Sequence, residues 1–140
     1  MAGDPKVELL ASVPLFAGLG RHELEEVAQL GDEVDVPSGH VLMRQGDRGD
    51  EMFVVVSGEL DIDRDGRLIN HMGPGAAVGE MSLLAEGPRT ATVTTVGPTR
   101  LLVVGHREFH SLMDRHPTVR MRILEGLAEK VRNLDLGAAH

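Results

Sequence analysis

The sequence predicts a mainly β fold: an antiparallel β jelly-roll barrel with N-terminal helices before it and two C-terminal helices after it. Three observations lead there. Apolar residues recur at three- and four-residue spacings from Val7 to Leu30 and again from His106 to Leu136. Between them, residues 32–105 break into short β-branched runs separated by glycines. The regular spacing of those runs favours antiparallel pairing over parallel βαβ units. A chain of 140 residues suits one domain. We therefore expect a single domain over 1–140, with helices over 7–30, a barrel over 32–105 and C-terminal helices over 106–136.

In the first stretch, Leu9, Leu10 and Val13 form one helical group and Leu24, Val27, Ala28 and Leu30 another, parted by Pro14, Gly18 and Gly20. The acidic cluster Glu23, Glu25 and Glu26 suits the first turn of the second helix, where the helix dipole favours anions. In the β stretch, Glu59-Leu60-Asp61-Ile62-Asp63 and Thr90-Ala91-Thr92-Val93-Thr94 alternate strictly, which sends one face inward and one to water. Asp65-Gly66, between Ile62 and Leu68, has the chemistry of a tight hairpin turn. After Gly105 the helical period returns through Phe109, Leu112 and Met113. A break at Pro117 follows, and then a long amphipathic helix through Val119, Ile123, Leu127, Val131 and Leu134. Pro117 fits the first turn of that helix, where a missing N–H leaves nothing unpaired.

Composition narrows the function. Lys and Arg total 14 against 22 Asp and Glu, a net charge of −8, so no broad basic surface for nucleic acid is expected and an anionic ligand needs a local basic pocket. The aromatics are three Phe, with no Trp or Tyr, which argues against base-stacking platforms and membrane aromatic belts. The absence of cysteine excludes disulfides, thiolate nucleophiles and Cys-based zinc sites. The N-terminus lacks the basic start and apolar run of a signal peptide, and no segment approaches the ~20 apolar residues of a membrane span. These features lead us to expect a soluble, cytoplasmic protein.

The chemistry concentrates in Val78-Gly79-Glu80-Met81-Ser82-Leu83-Leu84-Ala85-Glu86-Gly87-Pro88-Arg89-Thr90-Ala91-Thr92-Val93. At Gly79 the backbone can approach a ligand closely, and the short helical run after it can offer N–H groups to an anion. Arg89 supplies a planar fork of donors for a phosphate or carboxylate. Glu80 would repel that anion, so it needs a hydroxyl donor, and sugar diols provide one. An arginine for phosphate and a carboxylate for a ribose hydroxyl together describe a nucleotide.

This stretch resembles the phosphate-binding cassette of cyclic nucleotide-binding domains, the sensors of catabolite activators and of protein kinase A regulatory subunits. The run Gly46-Asp47-Arg48-Gly49-Asp50-Glu51-Met52-Phe53-Val54-Val55-Val56-Ser57-Gly58 resembles that family's glycine-bracketed strand pair, and the helix–barrel–helix order agrees over nearly the whole chain. Met43 departs from the family, which more often has Val or Ile there. The resemblance implies that Gly79, Glu80, Met81 and Ser82 line the sugar-phosphate, with Glu80 accepting from the ribose 2′-hydroxyl. It implies that Arg89 holds the cyclic phosphate, aided by Thr90 and the backbone of Ala91. It also implies a non-catalytic sensor whose last helix moves over the base. No aromatic follows Phe109, so Val131, Arg132 and Leu134 are the candidates for the cap. Gly46, Gly49 and Gly58 are expected to serve turns and strand ends.

Cyclic AMP is the expected ligand, with cyclic GMP as the alternative because a Thr at position 90 can also meet the guanine 2-amino group. No cofactor, nucleic acid or membrane is expected. The expected partner, a second copy or an effector, would meet the C-terminal helix. Two other functions compete. A cupin-type metal enzyme would need clustered histidines; His106 and His110 are four apart, but no His-x-His occurs and no third ligand is evident. Asp61, Asp63 and Asp65 alternate like calcium ligands, yet the hairpin context and a missing terminal Glu favour an exposed strand face. The second competitor is the ligand-binding part of a catabolite-activator-type regulator. Residues 117–140 have room for one helix and a tail, so no helix-turn-helix is expected within them.

Overall fold

Pro5 begins the first helix, α1 (Pro5–Ala11), where its missing N–H is harmless, and the helix buries Val7 and Leu10. The computed structural model of the chain describes residues 5–85 and 87–138. The bend expected around Pro14 is itself ordered as a 3₁₀ helix, Pro14–Phe16, that buries Leu15 and Phe16. Helix α2 (Arg21–Leu30) follows. Glu23 accepts the Gly20 N–H at 2.7 Å, satisfying one of the donors a helix start leaves open.

Eight strands come next: β1 (Asp32–Val36), β2 (Val41–Met43), β3 (Arg48–Gly49), β4 (Glu51–Arg64), β5 (Arg67–Met72), β6 (Ala77–Val78), β7 (Gly87–Pro88) and β8 (Thr92–Gly105). All pairings are antiparallel. The two longest strands, β4 and β8, pair from Glu51 opposite Gly105 to Asp63 opposite Thr92 and form the spine. Strands run in the order β1-β8-β4-β5, with β2 also on β8 and β6 also on β4, while β3 and β7 make a separate two-stranded ribbon. The expected mainly antiparallel β architecture with flanking helices is present, but the barrel is not closed by hydrogen bonds between the described strands. Among the described residues the hydrogen-bonded sheet is open, because the short strands add to the same two long ones rather than bridging its edges. Curvature comes instead from register shifts in β4 near Ser57, irregularities that bend a strand and raise its twist.

Strand β4 alternates only in its second half. Met52, Phe53, Val54 and Val55 are all buried in succession. Met52 and Val54 join a cluster with the helices, including Leu10, Phe16, Val27, Phe109 and Ile123. Phe53 and Val55 join the inner face of the sheet with Leu60, Ile62, Val93 and Leu101. The rings of Phe16 and Phe109 stand 5.7 Å apart at 44°, joining the N-terminal and C-terminal helices.

Helix α3 (His106–Arg115) leaves directly from β8, and α4 (Pro117–Ala138) starts at the expected proline. Val119 and Ile123 bury one side of α4. Arg122 donates to the Gly18 carbonyl at 3.2 Å and lies 3.4 Å from Glu23, fastening α4 to the N-terminal helices. Among the described residues, no helix is long and apolar enough to cross a membrane.

Candidate functional site

Arg89 is positioned by its backbone before its side chain is considered. Its N–H donates to the Asp47 carbonyl at 2.7 Å, and its carbonyl accepts the Gly46 N–H at 2.8 Å. Next to it, Arg48 pairs with Pro88 and Gly49 with Gly87, so the β3–β7 ribbon fixes where the guanidinium leaves the chain. Two glycines then shape its slot. A Cβ on Gly49 would collide with the Arg89 Nε, Cζ and Nη2 atoms. A Cβ on Gly79 would come within 2.6 Å of Arg89 Nη1 and 2.7 Å of the Glu51 carbonyl. Gly79 also needs its missing side chain for its backbone, with φ at 76° in the left-handed region as it starts the second 3₁₀ helix, Glu80–Leu83. Gly49 ends β3, within the expected role at turns and strand ends, and its φ is not among the positive ones, so what it adds is close approach to Arg89.

Arg89 as a whole residue is 8% exposed, and its Nη1 donates to Ser82 Oγ at 2.9 Å. Burial lowers its pKa from the ordinary arginine value, while the charges of Glu51 and Asp50 oppose that shift. An arginine carries five N–H donors, and among the described residues Ser82 Oγ is the one acceptor its side chain meets. A buried cation with spare donors is a place for an anion. One residue beyond Gly79, the Glu80 Oε2 atom is buried and has no hydrogen-bond partner among the described residues. A buried unpaired acceptor costs free energy until a donor arrives.

Gly79, Glu80, Met81, Ser82, Arg89 and Thr90 all line one cavity of about 290 Å³, together with Met43, Ala85, Gly87 and Pro88. This is the small end of the roughly 300–1,000 Å³ typical of small-molecule sites. Met81 stands 59% exposed at the mouth. Thr90 is exposed, with its carbonyl held by Arg64 Nε at 3.0 Å. Ala91 does not line the cavity; its side chain is buried in the sheet's inner cluster beneath. Met43, where the family more often has Val or Ile, forms a wall of the cavity, and its Sδ would lie 3.3 Å from a Cβ at Gly79. The reach of Asp47 and Gly49 to Arg89 was missed, and their signal was the glycine-bracketed run itself.

The candidate cap residues lie elsewhere. Val131 is 57% exposed. Arg132 lines a different cavity, about 520 Å³, between Pro14–Gly18 and α4. The Leu134 side chain lies outside the described residues. Of the other candidates, Asp61 bonds His71 at 2.7 Å and Asp65 bonds Gln45 at 2.8 Å. Among the described residues no group of three or more His, Cys, Asp or Glu is arranged to hold a metal ion.

Three comparisons bear on this geometry. The family model described as cyclic nucleotide-binding domain matches residues 33–116, more than half of the chain. The chain is 31% identical over 130 residues to the CRP-like cAMP-activated global transcriptional regulator of Mycobacterium tuberculosis, covering 89% of this chain and 58% of that protein. It resembles the N-terminal domain of a transcriptional regulator from Streptomyces coelicolor A3(2), with TM-score 0.84, 34% identity, and 90% and 94% of the two chains covered. The regulatory domain of Toxoplasma gondii PKA, solved with cAMP, matches with TM-score 0.71 and 34% identity over 77% of this chain and 43% of that one. The chain spans less than two thirds of the length of the curated relatives it matches.

Proposed function

Since the chain belongs to the cyclic nucleotide-binding domain family, we propose that it is a non-catalytic sensor that prefers cyclic AMP to cyclic GMP and passes occupancy to its C-terminal helices. One observation carries the reading: the buried Arg89, whose guanidinium has spare donors, and Glu80, whose Oε2 is buried and unpartnered among the described residues, line the same cavity. Their chemistry suits an anionic phosphate at Arg89 and a ribose 2′-hydroxyl at Glu80, with Ser82, which accepts the Arg89 Nη1 bond, beside the phosphate. Thr90 and the backbone N–H of Ala91 would complete the phosphate contacts. The preference for cyclic AMP is supported by the lining, where among the described residues no obvious reader for guanine O6 and N1 stands beside Thr90. The names of similar proteins support it, since they include a cAMP-activated regulator and a cAMP-bound PKA domain.

Transmission would run through α4. Its stripe Met121, Leu124, Ala128 and Val131 is exposed at three- and four-residue spacing, opposite the buried Val119 and Ile123. That spacing is the seam of a coiled coil, and a second copy of this chain or an effector helix would cover it. The same sensor would serve alone or within a larger regulator. Calorimetric titration with both nucleotides tests the binding step. Wild type should bind cyclic AMP, and Arg89→Glu should lose more than a hundredfold in affinity through the lost charge-assisted bonds and added repulsion. Equal affinity in the two proteins sinks the site.

A further inference from the structure

Both walls of the Arg89 slot meet at one residue that does not line the cavity. His106 is the first residue of α3. Its Nδ1 lies 2.8 Å from the Ser82 carbonyl, and its backbone N–H donates to the Asp50 carbonyl at 2.8 Å. A carbonyl only accepts, so Nδ1 carries the proton in this contact. Ser82 belongs to the 3₁₀ helix on one side of Arg89, and its own hydroxyl takes the Arg89 Nη1 bond. Asp50 belongs to the β3–β4 segment on the other side, next to the Gly49 against which the guanidinium lies. The carbonyl of Ser82 falls in the last turn of that short helix, where carbonyls lack partners from within the helix. One turn further along α3, His110 packs its ring on His106 at 4.1 Å between centroids, limiting how the first imidazole can swing.

We infer that His106 is a positioning residue for ligand binding: it holds the 3₁₀ helix against the β3–β4 segment so that Arg89 and Ser82 keep their spacing, and it fixes that spacing to the first turn of α3. This inference rests on the sensor reading for its ligand, but the clamp itself is a property of the ligand-free protein. Removing the imidazole frees the Ser82 carbonyl and the helix that presents Glu80 and Ser82. The Asp50 contact, being made by the backbone, survives substitution.

Two variants and two measurements test it. His106→Leu keeps bulk and helix propensity while deleting the donor, and His106→Asn places an amide N–H near the former Nδ1. In the ligand-free protein, amide exchange over residues 80–85 should quicken about tenfold in His106→Leu and return toward wild type in His106→Asn. Calorimetric titration should show cyclic AMP affinity about 3- to 10-fold weaker in His106→Leu and largely recovered in His106→Asn. Unchanged exchange over 80–85 in His106→Leu overturns the clamp. Unchanged affinity in His106→Leu, beside a wild type that binds, overturns the positioning role. A loss of affinity that His106→Asn does not recover also overturns it, since packing rather than the hydrogen bond would then be responsible. If the wild type binds neither nucleotide while exchange responds as expected, the sensor reading has failed and the clamp stands as a structural fact only.

Discussion

Arg89 shows how much of a candidate site is decided by what is missing from its neighbours. Its guanidinium lies in a slot that exists because Gly49 and Gly79 have no Cβ. Gly49→Ala is expected to push the guanidinium out of register, because the added carbon meets the flat of the cation rather than a flexible end. Overpacking of this sort costs ~1–3 kcal/mol, so titration should show cyclic AMP affinity lower by about tenfold or more, with a modest fall in melting temperature. A Gly49→Ala protein that binds as the wild type does would show that Arg89 works from another position. Glu80 makes a different demand, since its buried Oε2 lacks a donor until a ligand hydroxyl supplies one. Glu80→Gln should therefore weaken cyclic AMP more than 2′-deoxy cyclic AMP, with the difference about tenfold, the strength of one hydrogen bond to a charged group. Equal losses on both ligands would mean that Glu80 orients the cassette instead. Both residues were legible in the sequence, because a Gly-Glu followed by Pro-Arg carries its chemistry in the residue types. The partners Asp47, Gly49 and Met43 were not, because their roles depend on a ribbon of two residues per strand that leaves no periodic trace.

Elements were legible where one face meets water and the other the core. The β4–β5 hairpin is the clearest case, with Asp65 and Gly66 both at positive φ, 54° and 79°, as a tight turn between twisted strands requires. The first half of β4 was not legible as an alternating strand, because the helices cover one face and the sheet's inner cluster the other, so Met52 through Val55 read as one apolar run. The hairpin also carries a charge device. His71 on β5 puts Nδ1 2.7 Å from Asp61 and Nε2 2.8 Å from Glu59, both on β4. A neutral ring would set a lone pair against one of these carboxylates, so the contacts favour the imidazolium. They raise the His71 pKa above its ordinary 6.5, the hydrogen bond to Asp61 most and that to Glu59 next, against a small opposing desolvation. A raised folded pKa stabilises fully below the unfolded value near 6.5 and loses that contribution as pH rises through the folded value. Wild type should therefore lead His71→Gln in urea midpoint at pH 5.5, and the lead should shrink by pH 9. A lead that grows with pH would contradict the contact geometry.

At the scale of the whole molecule, the helix–sheet–helix order was legible but the closure of the sheet and the station of α4 were not. Local pattern places short strands across residues 32–105; only tertiary packing decides that β2 and β6 add to β8 and β4 and leave the sheet open among the described residues. Likewise, the amphipathic period of α4 shows that Val119 and Ile123 face a core, yet it does not say which one. In the structure they pack with the N-terminal helices, and Arg122 bridges to Gly18 and Glu23. Among the described residues, none from α4 lines the cavity lined by Arg89 and Glu80. If the ligand is to influence α4, it must act through α3, whose first residue touches the Ser82 carbonyl, or draw α4 away from Gly18 toward the base. Movement of α4 away from Gly18 would break the Arg122 contacts, and its ion pair with Glu23 is partly exposed and contributes at most about 1 kcal/mol, so a ligand with modest differential affinity can shift it. Hydrogen exchange with and without cyclic AMP should thus change over residues 117–136 as well as over 79–91, and Arg122→Ala should reproduce part of the α4 change without ligand. Exchange altered only over 79–91, with Arg122→Ala silent, would mean that the domain binds its ligand without passing the event to α4.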